Sequence, residues 1–227
     1  MLSLRAVCYR HAADTPLLEG VTLSVGSGEC VALLGRSGSG KSTLLQLTAG
    51  LLRPDSGEVR VGDTAMHTLN EPEVTRARRD RIGFVYQQFC LLPTLTLVEN
   101  VALPLELQGQ ARASALRTAQ ARLADLGIGA LAARFPDQVS GGEQQRAGIA
   151  RALACNPNVV LADEPTGSLD VQSAEQVLNA VFAIARGEAR CVVVATHSAA
   201  VAARADRVVT VHDGHLIEGL PAGQTAW

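Results

Sequence analysis

A glycine-rich segment with one lysine is the part of this sequence that indicates chemistry most directly. Residues 35–42 read GRSGSGKS and satisfy the pattern G-x-x-x-x-G-K-[ST] in full. They follow an apolar run at 31–34 and precede a helix predicted over 42–52, the context in which this pattern binds phosphate. There the backbone N–H groups of the turn and the helix N-terminus face phosphate oxygens. Lys41 adds a full positive charge, and Ser42 offers a hydroxyl ligand to Mg²⁺.

The lysine of this segment is the only one in the chain. The other 19 of the 20 basic residues are arginines. Arginine and lysine differ at phosphate sites, because an ammonium is a compact point charge and a guanidinium is a planar fork. The position of Lys41 within residues 35–42, hereafter the phosphate loop, therefore favours nucleotide binding over a serine- and glycine-rich turn of no function.

Two acids follow a second apolar run far downstream. Residues 159–162 predict a buried strand, and Asp163 and Glu164 come at its carboxyl end. Paired with the phosphate loop, Asp163 is placed to hold Mg²⁺ and Glu164 to act as the general base on an attacking water. Without that loop, such a pair is as compatible with a solvated turn.

A third group, residues 140–144 (SGGEQ), reads locally as a helix start with Ser140 as N-cap and Glu143 three positions later. Two successive glycines weaken a helix and leave N–H groups open at its positive end, which suits an anion from outside. Ser140 lies 99 residues after Lys41, so this signature segment need not face the nucleotide of its own chain.

Composition narrows the class of protein. A length of 227 residues with 47% apolar residues predicts one large domain, or a core with an inserted subdomain. A net charge of −2 and an arginine cluster at 76, 78, 79 and 81 broken by Asp80 argue against a nucleic-acid partner; the cluster is interpreted as a solvated helix face.

The chain is expected to be cytosolic. No apolar run reaches the length needed to cross a bilayer, and the start lacks the apolar stretch of a secretion signal. The five cysteines are far apart and odd in number, which predicts small buried apolar residues in a reducing compartment.

The distribution of apolar patterns predicts an α/β fold. Continuous runs at 31–34, 82–86, 159–162, 191–195 and 207–211 suit a largely parallel sheet, whereas 4–9, 21–25 and 57–61 alternate and indicate an antiparallel layer. Residues 88–157 are helical in pattern, with a capping box at Thr96 and Glu99 and a helix over 111–126 closed by Gly127. They are predicted to form a helical subdomain inserted between core segments 1–87 and 158–227.

The full set of motifs resembles the ATPase subunits of ABC transporters. Residues 35–42, Gln87, 140–144, 163–164, 168–170 and His197 occur in the order and spacing of that family and span nearly the whole chain. The amino-acid sequences of 86–89, 100–104 and 163–170 are similar to those of one branch of the family. This branch contains the lipoprotein-releasing, macrolide-exporting and cell-division ATPases. The resemblance implies a P-loop NTPase (RecA-like) core forming a single ABC ATPase domain over 1–227, with ATP and Mg²⁺ bound.

The resemblance also assigns roles to residues. Catalytic roles fall on Glu164, His197, Lys41 and Gln87, and Mg²⁺ ligation on Ser42, Gln87 and Asp163. Contacts to ATP are expected from His11, Gly35, Arg36, Ser37, Gly38, Ser39, Gly40, Lys41, Ser42, Thr43, Ser140, Gly141, Gly142 and Glu143. Asp170 is expected in a loop that communicates across a dimer, besides capping a helix.

Two positions depart from the family pattern. The aromatic residue that often stacks on adenine is replaced by His11 at the matching position, with Tyr9 two residues earlier, so either ring is open as the contact. Glu143 stands where many relatives have glutamine, which the capping box tolerates.

In the family two subunits pack head to tail, and each ATP lies between the phosphate loop of one and the signature segment of the other. A homodimer or pseudo-dimer is therefore expected, on the cytoplasmic side of the inner membrane. Integral-membrane permease subunits would dock near Gln87 and residues 89–93, in the service of lipoprotein release or substrate export.

Three other functions are compatible with part of the sequence. A small-molecule kinase explains Lys41 and Asp163 but leaves 140–144 and 168–170 without a role. A DNA-repair or translation ATPase would need a long coiled coil or two ATPase domains. An ATP-gated regulator of cell-division type, which moves no substrate, shares all of these motifs.

Overall fold

The computed structural model describes residues 1–11, 15–167, 169–187 and 189–220. The strands are β1 Leu2–Arg10, β2 Pro16–Val25, β3 Cys30–Leu34, β4 Ser56–Val61, β5 Thr64–Ala65, β6 Ile82–Val85, β7 Val159–Asp163, β8 Cys191–Ala195, β9 Arg207–His212 and β10 His215–Glu218. The α-helices are α1 Lys41–Thr48, α2 Glu71–Arg81, α3 Leu97–Leu107, α4 Arg112–Asp125, α5 Gly141–Leu153, α6 Val171–Gly187 and α7 Ala199–Ala202. Short 3₁₀ turns lie at Met66–Thr68, Gly129–Leu131 and Pro136–Gln138.

Two sheets share the core, as the alternation of apolar residues predicted. A four-stranded antiparallel sheet has the order β2-β1-β4-β5, and a six-stranded sheet has the order β10-β9-β3-β8-β7-β6. Strands β9, β3, β8, β7 and β6 run parallel, and β10 adds an antiparallel edge. Every residue of β3 and β8 is buried, because both faces of a parallel sheet are covered by other elements.

Apolar packing divides into three clusters. One lies between the antiparallel sheet and one face of the parallel sheet, where Leu4, Val59 and Leu33 are buried together. The second covers the opposite face with side chains of α5 and α6. The third joins α3, α4 and α5. Helix α5 contributes to the second and the third cluster, so it connects the parallel sheet to the helices that lie between β6 and β7.

Local signals predicted the helix ends well. The side chains of Thr96 and Glu99 form the capping box of α3, and Gly127 follows α4 with φ 73°. Helix α1, in contrast, ends at Thr48 and not at 52, since the chain turns at Gly50 with φ 65°. Residues 215–218, which follow the last predicted strand, form strand β10.

Two interpretations made from the sequence hold only in part. The arginine cluster is more than a solvated face, because Arg78 donates to the carbonyl of Gly50 at 3.0 Å and Arg79 to that of Leu107 at 2.6 Å. These bonds attach α2 to its neighbours. Cys90 is exposed, with φ 50°, whereas Cys30 and Cys191 are buried as expected. Composition alone cannot distinguish a cysteine in a core strand from one in a loop.

Replacing Gly83 with alanine is expected to lower the free energy of unfolding by about 1–3 kcal/mol, the usual cost of overpacking. A methyl group at Gly83 in β6 would lie 2.4 Å from the carbonyl oxygen of Ala152, a backbone atom that cannot rotate away. Urea denaturation followed by circular dichroism measures the change.

The control variant is Gly148→Ala in α5. A methyl group there would lie 3.4 Å from its nearest neighbour, the carbonyl oxygen of Phe89. Alanine is also the better helix former, by up to about 1 kcal/mol. Equal destabilisation by the two substitutions would contradict the close approach of β6 to α5.

Candidate nucleotide-binding site

The phosphate loop connects β3 to α1 through a turn that needs glycine. Gly35 has φ 151°, and a methyl group there would lie 2.5 Å from Ser39 Oγ and 2.8 Å from the carbonyl oxygen of Val211. Gly40 has φ 104° and is the N-cap of α1. Both conformations are strained for residues with a Cβ, so the sequence pattern has a direct backbone cause.

The side chain of Lys41 lies along this loop. Its Nζ donates to the carbonyl oxygens of Gly35 at 2.8 Å and Arg36 at 3.2 Å, and the residue is only 8% exposed. Ser39 Oγ is buried and has no hydrogen-bond partner within the described part of the chain. A buried ammonium held by carbonyls, beside an unpaired hydroxyl, is a site arranged for an anion.

Three parallel strands bring the remaining polar groups to the same edge. In the register of the sheet, Ala195 of β8 lies opposite both Leu33 of β3 and Asp163 of β7. The backbone N–H of Glu164 donates to the carbonyl oxygen of Ala195 at 2.9 Å. Because carboxyl ends of parallel strands meet at one edge, residues 130 positions apart in the chain become neighbours here.

Asp163 contacts the phosphate loop directly. The Ser42 hydroxyl donates to Asp163 Oδ1 at 3.0 Å. Burial raises the pKa of Asp163, and the charge of Glu164 raises it further, while the Ser42 bond and the charge of Lys41 act in the opposite direction. A half-buried carboxylate with one hydroxyl donor is under-compensated, which a cation at this position would correct.

Glu164 and His197 form the next pair. His197 Nδ1 lies 3.0 Å from Glu164 Oε1, and the glutamate side chain is 14% exposed while that of the histidine is 61% exposed. Glu164 has φ 44°, which a non-glycine residue rarely adopts. Strain of this kind persists only where surrounding bonds enforce it, and here the Ala195 bond does so.

The phosphate loop, Glu164 and His197 line one cleft of about 750 Å³. The lining residues are His11, Leu17, Gly35, Arg36, Ser37, Gly38, Ser39, Gly40, Lys41, Ser42, Thr43, Gln87, Glu164 and His197. His11 lies in the cleft, and Tyr9 is not among the lining residues, although the two rings are 6.3 Å apart between centroids. Leu17 belongs to the cleft and was not predicted, because a lone leucine in a strand carries no sequence signal.

The signature segment does not line this cleft. Ser140 caps α5, with its hydroxyl and its N–H each 2.8 Å from Glu143 Oε2, and these donors lower the pKa of Glu143. Gly142 packs against α6, where a methyl group would lie 2.6 Å from Ser173 Oγ. The double glycine therefore has a packing reason within one chain, besides the open N–H groups at the helix start.

Asp170 caps α6 as its position predicts. The N–H of Ser173 donates to Asp170 Oδ1 at 3.0 Å, and this bond lowers the pKa of Asp170. Ser168, the first residue of that motif, lies outside the described residues.

The oxygen donors present fit Mg²⁺. Ser42 offers a hydroxyl, Asp163 a carboxylate and Gln87 an amide carbonyl, and Mg²⁺ prefers such hard oxygen ligands while keeping several waters. Within the described ranges no group of three or more His, Cys, Asp and Glu residues is placed to hold a metal ion. The ion would therefore be completed by water and phosphate oxygens.

Side chains of α3 and α5 hold the chain around Gln87, a role that was not predicted for them. Gln145 Nε2 donates to the Tyr86 carbonyl at 3.1 Å, and Arg151 donates to the carbonyls of Phe89 and Cys90. Asn100 bonds both the N–H and the carbonyl of Leu92. The available sequence signal for these contacts was the presence of polar residues at interior positions of amphipathic helices.

The raised pKa of Asp163 predicts how stability depends on pH. The folded protein keeps a proton there at pH values at which the unfolded chain has released it. The contribution of Asp163 to the free energy of unfolding is therefore most favourable at pH values below its ordinary pKa of 3.8. This contribution declines as pH rises above that value. Asp163→Asn is expected to raise the Tm of the nucleotide-free protein near about pH 7.5, with a gain that shrinks toward about pH 4.

Scanning calorimetry across that pH range measures this dependence. Asp63→Asn is the matched control, because Asp63 is exposed and lies far along the chain from the phosphate loop. A gain in Tm that grows as pH falls would contradict the effect of burial on Asp163.

Comparison with known proteins agrees with this geometry. Residues 18–167 match the family described as ABC transporter. The chain is 46% identical over 201 residues to the lipoprotein-releasing system ATP-binding protein LolD 1 of Rhodospirillum rubrum, covering 88% of this chain and 89% of that protein. It is 45% identical over 224 residues to the macrolide export ATP-binding/permease protein MacB of the same organism, covering 98% of this chain but 34% of that longer protein.

Solved structures show the same fold. The ATP-binding cassette MJ0796, described as a dimer in a post-hydrolysis state bound to ADP and Pi, superimposes with a TM-score of 0.88 at 37% identity, covering 96% of this chain and 98% of that one. The phosphate loop, the acidic pair and the fold that joins them agree with these matches, and the chain belongs to the ABC transporter family as an ATP-binding subunit similar to LolD and MacB.

Proposed function

We propose that this chain binds ATP with Mg²⁺, hydrolyses it as one of two cassettes closed around the nucleotide, and thereby drives a separate membrane permease. The observation that carries the proposal is the convergence of Lys41, Ser42 and Glu164 on one cleft, with Asp163 bonded to Ser42, while the signature segment does not line that cleft. The cleft contains the groups expected to hold phosphate but not the signature segment. We therefore propose that it forms one half of the complete nucleotide site.

ATP binding is assigned to the phosphate loop and its neighbours. The loop N–H groups and Lys41 would hold the β- and γ-phosphates, which replace the carbonyls of Gly35 and Arg36 as partners of Nζ. Arg36, Ser37, Gly38, Ser39 and Thr43 line the same cleft. His11, exposed at its mouth, is proposed as the contact to adenine.

Hydrolysis is assigned to Glu164 as general base, with His197 and Gln87 orienting the water. Glu164 is held in direction by the 3.0 Å contact with His197 Nδ1 and by its bonded backbone. Mg²⁺, on Ser42, Asp163 and Gln87, would neutralise developing charge on the phosphate oxygens. A positioned base typically contributes a factor of 10²–10⁴ in rate.

The second cassette supplies the missing half. Ser140, Gly141, Gly142 and Glu143 are proposed to contact the γ-phosphate bound by the partner subunit, through N–H groups at the start of α5. The dimeric description of MJ0796 supports this arrangement. Loss of the γ-phosphate would remove the ligand shared by both cassettes, so the closed state loses its advantage.

A permease partner follows from the relatives. The names of LolD and MacB indicate lipoprotein release and macrolide export, and we propose one of these two kinds of task at the cytoplasmic face of the inner membrane. In the part of the chain that the structure describes, no helix is both long and apolar enough to span a bilayer. We further propose that residues 1–227 form a single ATPase domain with 88–157 as its helical subdomain.

Glu164→Gln is expected to bind ATP, to lose hydrolysis by about 10²-fold or more, and to accumulate as an ATP-bound dimer. The amide keeps the size of the side chain but accepts no proton. Phosphate release and light scattering after size exclusion measure the two effects. Glu175→Gln, at an exposed glutamate of α6 paired with Arg204, is the control. Hydrolysis at the parental rate would remove Glu164 from this role.

Mixing two inactive variants tests whether the site is shared. Lys41→Met breaks the phosphate loop and Ser140→Arg breaks the signature segment, so each variant alone is expected to be inactive. A mixed dimer contains one site with both elements intact, so with two independent sites it should hydrolyse ATP at about half the parental rate per dimer. Because random pairing makes about half of the dimers mixed, a 1:1 mixture should reach about a quarter of the parental rate. ATPase activity of a 1:1 mixture that stays at the level of the separate variants would contradict the shared site.

A further inference from the structure

The backbone on both sides of Gln87 is bonded to helix α5. Gln145 Nε2 donates to the carbonyl oxygen of Tyr86 at 3.1 Å, on the N-terminal side of Gln87. On the other side, Arg151 Nη2 donates to the carbonyl oxygen of Phe89 at 3.2 Å, and its Nη1 donates to that of Cys90. Residues 86–90, hereafter the Gln87 segment, are therefore attached at both ends to one helix.

One stripe of α5 is shaped for this contact. Gly141, Gln145, Gly148 and Arg151 follow one another at intervals of three or four residues, which places them on one face of the helix. Methyl groups at Gly141 and Gly148 would each lie 3.4 Å from atoms of Phe89, so the segment lies directly on the helix backbone. The two polar side chains bond the segment, and the two glycines lie in van der Waals range of Phe89.

Stability alone does not account for Gln145. The residue is 1% exposed, and its Oε1 is buried without a partner among the described residues. An unpaired buried acceptor is destabilising, whereas leucine would fill a similar volume without leaving an acceptor unpaired. The guanidinium of Arg151 is largely removed from solvent, and this burial lowers its pKa. The carbonyls to which it donates hold it there.

Helix α5 also begins with the signature segment. Ser140 is its N-cap, and Gln145 lies about 7 Å further along the axis at 1.5 Å per residue. A displacement of the helix start is transmitted through a rigid helix to Gln145 and Arg151, and from them to the Gln87 segment. Gln87 itself lines the cleft opposite the phosphate loop.

We propose that Gln145 and Arg151 are positioning residues that fasten the Gln87 segment to α5, so that Gln87 moves into place together with the signature segment when two cassettes close. This role depends on the ATP-driven closure proposed above. Binding of ATP to a single cassette uses the phosphate loop and needs neither residue, whereas hydrolysis needs Gln87 in position.

The test compares Arg151→Met, Arg151→Lys and Gln145→Leu with the parental protein. Arg151→Met is expected to lower kcat about tenfold or more while KM for ATP changes less than about threefold, because a misplacement of about 1 Å at a reacting centre has effects of this size. Arg151→Lys keeps a charged donor and should recover part of kcat. Gln145→Leu should lower kcat at a nearly unchanged Tm.

Amide hydrogen exchange gives a readout independent of activity. Exchange in residues 86–90 is expected to become about tenfold faster in Arg151→Met, since the segment opens locally once its bonds are lost. Exchange in residues 35–43 should remain as in the parent. Arg146→Met is the matched control, because Arg146 lies on the same helix but bonds Gln176 of α6. It should leave kcat within about twofold and exchange in 86–90 unchanged.

Several results would overturn the role. These are a parental kcat in Arg151→Met, unchanged exchange in 86–90, or an equal loss in Arg146→Met. A rise in KM with kcat unchanged would do the same. If the parental protein hydrolyses no ATP, the proposed function fails and the kinetic expectation fails with it, but exchange in 86–90 still decides whether Arg151 fastens the segment.

Discussion

The site depends on the backbone ladder that joins β3, β8 and β7. Because Ala195 lies opposite both Leu33 and Asp163, and its carbonyl accepts from the N–H of Glu164, the phosphate loop, the acidic pair and His197 begin at one level of the sheet. A shift of one residue in either pairing would turn each side chain to the opposite face. Both faces of β3 and β8 are closely packed, so such a shift would force each side chain into a space shaped for another.

Charge is distributed in the cleft for a ligand that the chain alone does not contain. The Lys41 ammonium donates to two backbone carbonyls, and Asp163 is a half-buried carboxylate whose pKa burial raises. Both groups are costly to bury as they stand. A phosphate beside Lys41 and a cation beside Asp163 would relieve both costs together, which would couple nucleotide binding to metal binding.

Helix α5 links the parallel sheet to the helices that lie between β6 and β7. Its side chains enter the cluster beneath the parallel sheet and the cluster of the helical region, its start carries the signature segment, and its polar stripe bonds the Gln87 segment. Gly83 allows β6 to approach its carboxyl end closely. A helix packed along its length in this way can move as a rigid body, which suits the proposal that it changes its relation to a partner cassette.

Local sequence determined the phosphate loop, the capping boxes at Thr96 and Ser140, and the two sheet types, because each follows from residue type and spacing within a few positions. The early end of α1, the exposure of Cys90, the bonds made by the arginines of α2 and the place of Leu17 in the cleft were decided by tertiary structure. So were the bonds from Gln145 and Arg151 to carbonyls about 60 residues earlier in the chain. Contacts between distant segments depend on how whole elements pack against one another, and no local pattern records that packing.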